Sequence, residues 1–456
     1  MENTQTIKNI PVTTRNLIMF VVPSLLGIFL FMTPVAFGDS VTIPIAVMAK
    51  SILAVLGDEA TVVVSTIVVL SALATVVNLV FKPTAIQKSP FLNGLLSPTV
   101  PWAATRVVGA VFIVMTMMGF GPEMVTSSAT GAFILNDLLP TLLSVFIFAG
   151  LLLPLLTNFG LLEMLGAAFT RLMRPMFGLP GRSAVDCAAS WLGDGSVGIL
   201  MTSKQYEQGY YTQREAAVVG TTFSAVSISF SLVVVAQVQL EHLFAQFYLA
   251  VCAAGFVAAV VVPRLPPLCW KKNELIDGRA EHNREETLPQ GESALNYGFQ
   301  CAIERASKIR SISDVVKEGV HNAIDMVFGV LPVVMAIGTI ALIVAEYTSV
   351  FTVLGMPFVP LLEALHIPDA VKASETIMVG FADMFIPAIL AADIESDLTR
   401  FVIAALSVTQ LIYLSEVGAL LLGSKIPVKL WELFVIFILR TLVTLPVIAG
   451  VAHLIF

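Results

Sequence analysis

The chain has 456 residues, of which 57% are hydrophobic and only 12% charged, and its mean hydropathy is +0.89. A soluble domain carries about 25% charged residues, and no soluble core of this size could hide so much apolar surface, so soluble classes are excluded and a polytopic membrane protein is required. The formal net charge of −7 decides little, because the placement of Lys and Arg matters more than their sum.

The opening MENTQTIKNIPVTTRN is polar and has no apolar core followed by a small-residue cleavage site, so Leu17–Phe37 is expected as a retained first span. Windows long enough to cross about 30 Å of hydrocarbon at about 1.5 Å per residue follow near 61–81, 103–121, 137–156, 215–238, 243–262, 324–345, 399–422 and 431–453. Val41–Leu56 is shorter and interrupted by Pro44 and Lys50, which reads as an interfacial or re-entrant piece. With the N-terminus in the cytoplasm, all 25 Lys and Arg fall on the cytoplasmic side except Lys50, Lys372 and Arg400 outside and Arg440 within the last span. That bias is the positive-inside rule, and a crossing by Val41–Leu56 would flip every later loop. Pro263–His321, with its run KKNELIDGRAEHNREETLPQGES, reads as a solvated cytoplasmic linker carrying a short amphipathic helix near Leu295–Ile312.

Two stretches inside this apolar string are too short and polar for ordinary spans: Ser183–Ser203 and Lys372–Ala392. Each carries two acids eight apart, Asp186 and Asp194 in the first, Glu375 and Asp383 in the second, and the pairs superpose without a gap. Leu165-Gly166 and Leu354-Gly355 share the same 189-residue offset. Gly193, Gly195 and Gly198 permit a sharp turn in one segment; Gly380 and Pro387 break the other. Basic residues (Arg182, Lys204) flank the first hairpin, and acidic ones (Asp369, Asp393, Glu395, Asp397) the second. They are therefore expected to enter from opposite faces, as inverted repeats do. The expected fold is all-α and polytopic, an inverted structural repeat with two re-entrant helical hairpins. Its divisions are N-terminal spans over 1–136, a first repeat over 137–262, a linker over 263–321 and a second repeat over 322–456.

The stretch LLPTLLSVFIFAGLLLPLLTNFGLLEMLGAAFTRLMRPMFGLPGRSAVDCAASWLGDGSVGILMTSKQY resembles the Gate (nucleoside-recognition) domain of concentrative nucleoside transporters and of the FeoB iron-transport protein. The whole chain resembles the YjiH family of Gate-domain membrane proteins, over roughly 137–453. The resemblance implies a solute site lined by the hairpin tips and by two broken helices, here the Thr221–Ser231 and Ser407–Glu416 parts of their spans. It also implies a bacterial cytoplasmic membrane. The glutamine-threonine-glutamate hairpin signature of those transporters is absent from this chain.

Asp194 and Asp383 stand out as candidate solute or ion ligands, because a carboxylate at mid-bilayer costs about 2.5–3.5 kcal/mol and needs a cavity, ion or partner. The competing reading is that each caps a half-helix. Ser190, Ser196 and Thr376 lie in the same hairpins, while Asp186 and Glu375, nearer the mouths, suit a cap or ion pair as well as binding. Thr221, Thr222, Ser224, Ser227, Ser229 and Ser231 make one span rich in hydroxyls; Thr222 and Ser227 are the candidates there, with back-bonding to the helix as the alternative. In the partner span Gln410 suits a polar solute contact, and Glu416 beside Ser415 suits a proton path. Arg440 is expected to pair structurally, for instance at a subunit interface, and Arg106 to snorkel.

GDGSVG over 193–198 fits G-x-G-x-x-G but follows no strand, so a dinucleotide site is rejected. No Walker A motif, triad or metal spacing occurs, and the four cysteines form no CxxC, so neither an enzyme nor a resident metal or cofactor is expected. The leading expectation is a secondary transporter of a small polar solute, a nucleoside or an amino acid or amine, coupled to Na+ or H+. The alternative is a non-transport membrane component in assembly or signalling. The expected partners are the solute and the lipid bilayer, with no nucleic acid; a homo-oligomer is left open.

Overall fold

The computed structural model describes residues 12–33, 35–37, 40–192, 195–223, 228–279, 293–309 and 311–456. The regular structure is helical apart from one antiparallel ribbon of β1 (Val35–Phe37) and β2 (Ser40–Thr42) among the described residues. Among the described residues seven helical stretches are long and apolar enough to cross a membrane: Thr14–Met32, Glu59–Phe81, Val100–Met118, Glu123–Thr157, Glu241–Arg264, Ile312–Tyr347 and Leu430–Ile455. The chain is an all-α polytopic membrane protein. Pro44–Leu56 is a helix of 13 residues; at about 1.5 Å per residue it falls well short of a bilayer.

The helices used below are α1 (Thr14–Met32), α2 (Pro44–Leu56), α3 (Glu59–Phe81), α4 (Val100–Met118), α5 (Leu139–Leu152), α6 (Leu161–Phe177), α7 (Ser183–Leu192), α8 (Gly195–Glu207), α9 (Gln213–Thr222), α10 (Ile228–Gln237), α11 (Phe244–Val261), α12 (Ala294–Ser307), α13 (Ile312–Tyr347), α14 (Val350–Gly355), α15 (Val359–Ala364), α16 (Ala370–Val379), α17 (Ile386–Ala391), α18 (Asp397–Gln410), α19 (Val417–Gly423) and α20 (Leu430–Ile455).

Two windows that hydropathy reads as single spans are interrupted, at the places where the resemblance implies broken helices. The first, 215–238, divides into α9 and α10, and the second, 399–422, into α18 and α19. A hydropathy window misses such breaks when the unwound residues are themselves apolar, as Leu411-Ile-Tyr-Leu414 are. The 189-residue offset carries the whole string over: α9 falls on α18, α10 on α19, α11 on α20, and the hairpin α7–α8 on α16–α17.

α13 is the central post, packed by both α4 and α5. Small residues allow the close approach. A Cβ on Gly109 of α4 would lie 2.2 Å from the Pro332 carbonyl oxygen, and one on Gly150 of α5 would lie 2.5 Å from the Ala323 backbone. α11 and α18 both pack on α20.

Three expectations need correction. The segment expected as a solvated linker carries a helix where the amphipathic one was expected, and that helix is docked: α12 packs on α6 and α1 and buries Tyr297, Ala302, Ile303 and Ala306. Its charge run lies partly outside the described residues, but Lys271 within it bonds Glu432 at 2.7 Å. α13 begins at Ile312, inside the expected linker. Arg106 does not snorkel; it is buried, and Nη1 donates to Thr75 Oγ1 at 3.1 Å and the Leu95 carbonyl at 2.9 Å, because α3 and the Pro90–Leu96 helix close over it.

Candidate functional site

The second broken helix unwinds at Leu411, which takes the left-handed conformation at φ 60°. That conformation costs a residue with a side chain about 1–2 kcal/mol. Tertiary bonds hold it there: Leu414 N donates to the Phe381 carbonyl at 2.8 Å and Ser415 N to the Ala382 carbonyl at 2.9 Å. The unwound backbone thus pairs with the tip of the α16–α17 hairpin, which satisfies groups that hydrocarbon could not. Asp383 sits in this tip. Its Oδ1 accepts from Phe385 N at 2.8 Å and Ile386 N at 3.3 Å, and its Oδ2 from Ser415 Oγ at 2.8 Å. It caps α17 and ties the hairpin to the break. Gln410 Nε2 donates to the Ile377 carbonyl at 3.2 Å and to Thr441 Oγ1 at 2.9 Å. Gly380 is the residue that leaves room for this amide, since a Cβ there would lie 2.2 Å from Gln410 Oε1.

Arg440 lies beside Thr441 on α20, about 15 Å in from the start of that helix at the α-helical rise. Its side chain is fully buried. Nε donates to the carbonyls of Thr409 (3.2 Å) and Gln410 (3.1 Å), Nη2 to Thr409 (2.8 Å), and Nη1 to Thr222 (3.4 Å). Thr409 and Gln410 end α18, and Thr222 ends α9. One guanidinium therefore serves the carbonyl ends of both broken helices, where backbone acceptors lack partners and the helix dipoles are negative. The about 2.5–3.5 kcal/mol cost of a charge at this depth is offset by three donating N–H groups, the Nε–H shared between two carbonyls, a hydrogen bond to a charged group being worth about 1.5–3 kcal/mol when well formed. The pairing expected for Arg440 is thus with backbone carbonyls inside the chain.

The hydroxyls of these helices mostly turn inward. Thr221 donates to the Ala217 carbonyl (2.7 Å), Ser407 to Ala404 (2.9 Å), Thr409 to Ala405 (3.0 Å) and, in the hairpin, Thr376 to Ala373 (2.8 Å). Thr222 differs: its Oγ1 is buried and has no hydrogen-bond partner among the described residues.

The α7–α8 hairpin has its polar cluster at the mouth. Asp186, in the first turn of α7, is fully buried. Oδ1 accepts from Gln205 Nε2 at 2.5 Å; Oδ2 accepts from Tyr211 OH at 2.9 Å and Thr202 Oγ1 at 3.1 Å. Arg182 Nε donates to Gln205 Oε1 at 2.9 Å, stacks 3.7 Å over the Tyr210 ring and approaches Glu163 at 3.9 Å. Arg305 of α12 reaches the same Glu163 at 3.8 Å. Sequence reading missed this cluster, because its members come from α6, both hairpin arms, the turn after them and α12. A fragment of signal existed in Gln205 and Tyr211, polar groups at the exit of an apolar hairpin.

The other candidates scatter. Ser190 and Ser196 are buried, and Ser190 lies where the two arms touch, since a Cβ on Gly198 would fall 1.6 Å from its Oγ. Glu416 is half-buried and accepts from Tyr413 OH at 3.3 Å. Glu375 is exposed, with no hydrogen bond or ion pair among the described residues. Asp194 and Ser227 lie outside the described residues. Asp383 and Gln410 are the candidates brought together around one break, with Thr222 joined to them through Arg440. Among the described residues no group of three His, Cys, Asp or Glu could hold a metal.

Residues 139–240 match the Gate family, described as nucleoside recognition. The match runs from α5 through the α7–α8 hairpin to just past α10. The chain belongs to the same family as the uncharacterized protein BpOF4_10220 of Alkalihalophilus pseudofirmus, which is 47% identical over 444 residues, 97% of this chain and 96% of the relative. Among solved structures, a CNTnw double mutant in an outward-facing state aligns over 96% of this chain and 100% of its own, at 16% identity and a TM-score of 0.33. At that score nothing is carried over from it.

Proposed function

We propose that the chain is a secondary transporter of a nucleoside-type polar solute rather than an enzyme, and that its narrower relationship is to the YjiH family. In this reading it spans a bacterial cytoplasmic membrane with its N-terminus inside, its repeats are inserted in opposite orientations, and H+ or Na+ drives it. The observation that carries the reading is the pair of helices broken at equivalent positions, whose carbonyl ends converge on Arg440 beside a helical hairpin. Unwound backbone at such depth is kept where it borders protein or a water-filled path, and in transporters it borders the solute. The Gate match over 139–240 supports nucleoside as the solute class.

Asp383 supplies a carboxylate that pairs with no Lys or Arg among the described residues, which suits it to an ion or proton. The chain has no nucleotide-binding motif, so the energy comes from a gradient. The membrane potential alone supplies about 2.3 kcal/mol per charge per 100 mV, enough for accumulation of about 50-fold.

Counterflow in proteoliposomes tests the reading. Preloaded unlabelled nucleoside should accelerate entry of labelled nucleoside above protein-free liposomes, and an ionophore that dissipates the coupling gradient should collapse net accumulation. Absence of counterflow for nucleosides, amino acids and polyamines alike would remove the transporter reading.

A further inference from the structure

We infer that Arg440 is a tethered cation that fills the node where the two broken helices end, in the place a free monovalent cation would otherwise take. The charge balance is local. Each helix C-terminus carries the equivalent of about half a negative charge, and two of them meet the one positive charge of the guanidinium. No ion pair between Arg440 and a carboxylate forms among the described residues; its partners are the carbonyls of Thr222, Thr409 and Gln410.

The shape of the group matters as much as its charge. The Nε and Nη2 edge faces α18 while Nη1 reaches α9, so one planar fork spans both helices. A lysine ammonium is a point charge and cannot hold both ends at once. Removal of the guanidinium would leave three inward carbonyl oxygens, with the unpartnered, buried Thr222 hydroxyl on the same residue as one of them. Oxygen-only sets of this kind suit hard cations. The vacated node should therefore accept Na+, or methylguanidinium, which restores the lost shape. Arg440 is a positioning residue in this account: it fixes how the two breaks face each other and takes no part in binding solute. The inference stands whether or not the chain moves a nucleoside, because it is read through stability.

The test is thermal unfolding of purified Arg440→Met in choline buffer at fixed ionic strength, with Na+, K+ or methylguanidinium substituted in turn. Arg440→Met should unfold earlier than wild type, and Na+ or methylguanidinium should raise its midpoint by about 2–4 °C, a shift of the size ligand linkage gives. Wild type should shift by less than about 1 °C on the same scale. Arg440→Lys should fall between the two. An Arg440→Met protein that unfolds like wild type, or that no cation stabilises beyond its effect on wild type, overturns the inference. If Arg440→Met yields no folded protein, extraction is repeated with methylguanidinium present throughout. Folded protein recovered only in its presence supports a tethered cation. Equal failure with and without it, together with equal failure of Arg440→Lys, overturns it.

Discussion

Asp186 and Glu375 hold equivalent places in their hairpins, eight residues ahead of the second acid, yet Asp186 is fully buried among three hydroxyl and amide donors and Glu375 is exposed. Of the second acids, Asp194 lies outside the described residues and Asp383 is bonded within its hairpin tip and beyond it. Asp383 fastens the tip of its hairpin to the neighbouring break through Ser415, and the Gln410 amide adds a bond to Ile377 one turn away. The α7–α8 hairpin is thus fastened at its mouth and the α16–α17 hairpin at its tip. The 189-residue offset carries over the order of helices and the breaks, but not the contacts of the first acids, Asp186 and Glu375. Equal spacing in sequence accompanies unequal contacts at Asp186 and Glu375, so a role argued for one of these two acids does not transfer to the other.

The largest expected effect tests the mouth anchor. Asp186→Ala leaves the Gln205 amide and the Tyr211 and Thr202 hydroxyls buried without their acceptor. Loss of one member of a buried charged network costs about 3–5 kcal/mol. Thermal unfolding in detergent should show a drop of many degrees and a poor yield, with Asp186→Asn milder because one oxygen remains. A loss below about 1 kcal/mol would mean that the hairpin is not held at its mouth.

The tip anchor should give a smaller change and separates stability from function. Asp383→Ala removes the cap on α17 and the Ser415 bond, a loss of about 1–2 kcal/mol. Asp383→Asn keeps a capping oxygen, so its midpoint should stay close to wild type. If the carboxylate carries the coupling charge, nucleoside uptake by Asp383→Asn should nevertheless fall at least about tenfold, the effect of about 1.4 kcal/mol. Full uptake with unchanged ion dependence in Asp383→Asn would leave Asp383 a cap and nothing more.

What sequence could say about this site followed physical range. The spans were legible because a bilayer demands long apolar runs. The hairpins were legible because paired acids and glycines interrupt those runs at one offset. The breaks were not legible from hydropathy, since Leu411 to Leu414 are as apolar as a helix interior; only the resemblance to Gate domains pointed to them. Arg106 read as a snorkelling residue from its place near a helix end, but two other helices fold over it. The Asp186 cluster and the Arg440 node depend on residues brought together from distant parts of the chain, such as Thr222 and Arg440, and no periodicity encodes that meeting.

The smallest expected effect is the sharpest test of the asymmetry. Glu375 sits where Asp186 sits, and a symmetric protein would need both. In this structure Glu375 has no hydrogen bond or ion pair among the described residues, and Thr376 beside it is bonded back to its own helix. Substitution of an exposed group without partners changes stability by less than about 0.5 kcal/mol. Glu375→Gln should therefore unfold within about 1–2 °C of wild type, while Asp186→Asn, the same change at the equivalent place, should not. A loss in Glu375→Gln as large as that in Asp186→Asn would show that the mouth of the second hairpin is also fastened. Its partner would then have to come from outside the described chain, and a second copy of the protein would be the first place to look, by cross-linking from a cysteine placed at Lys372.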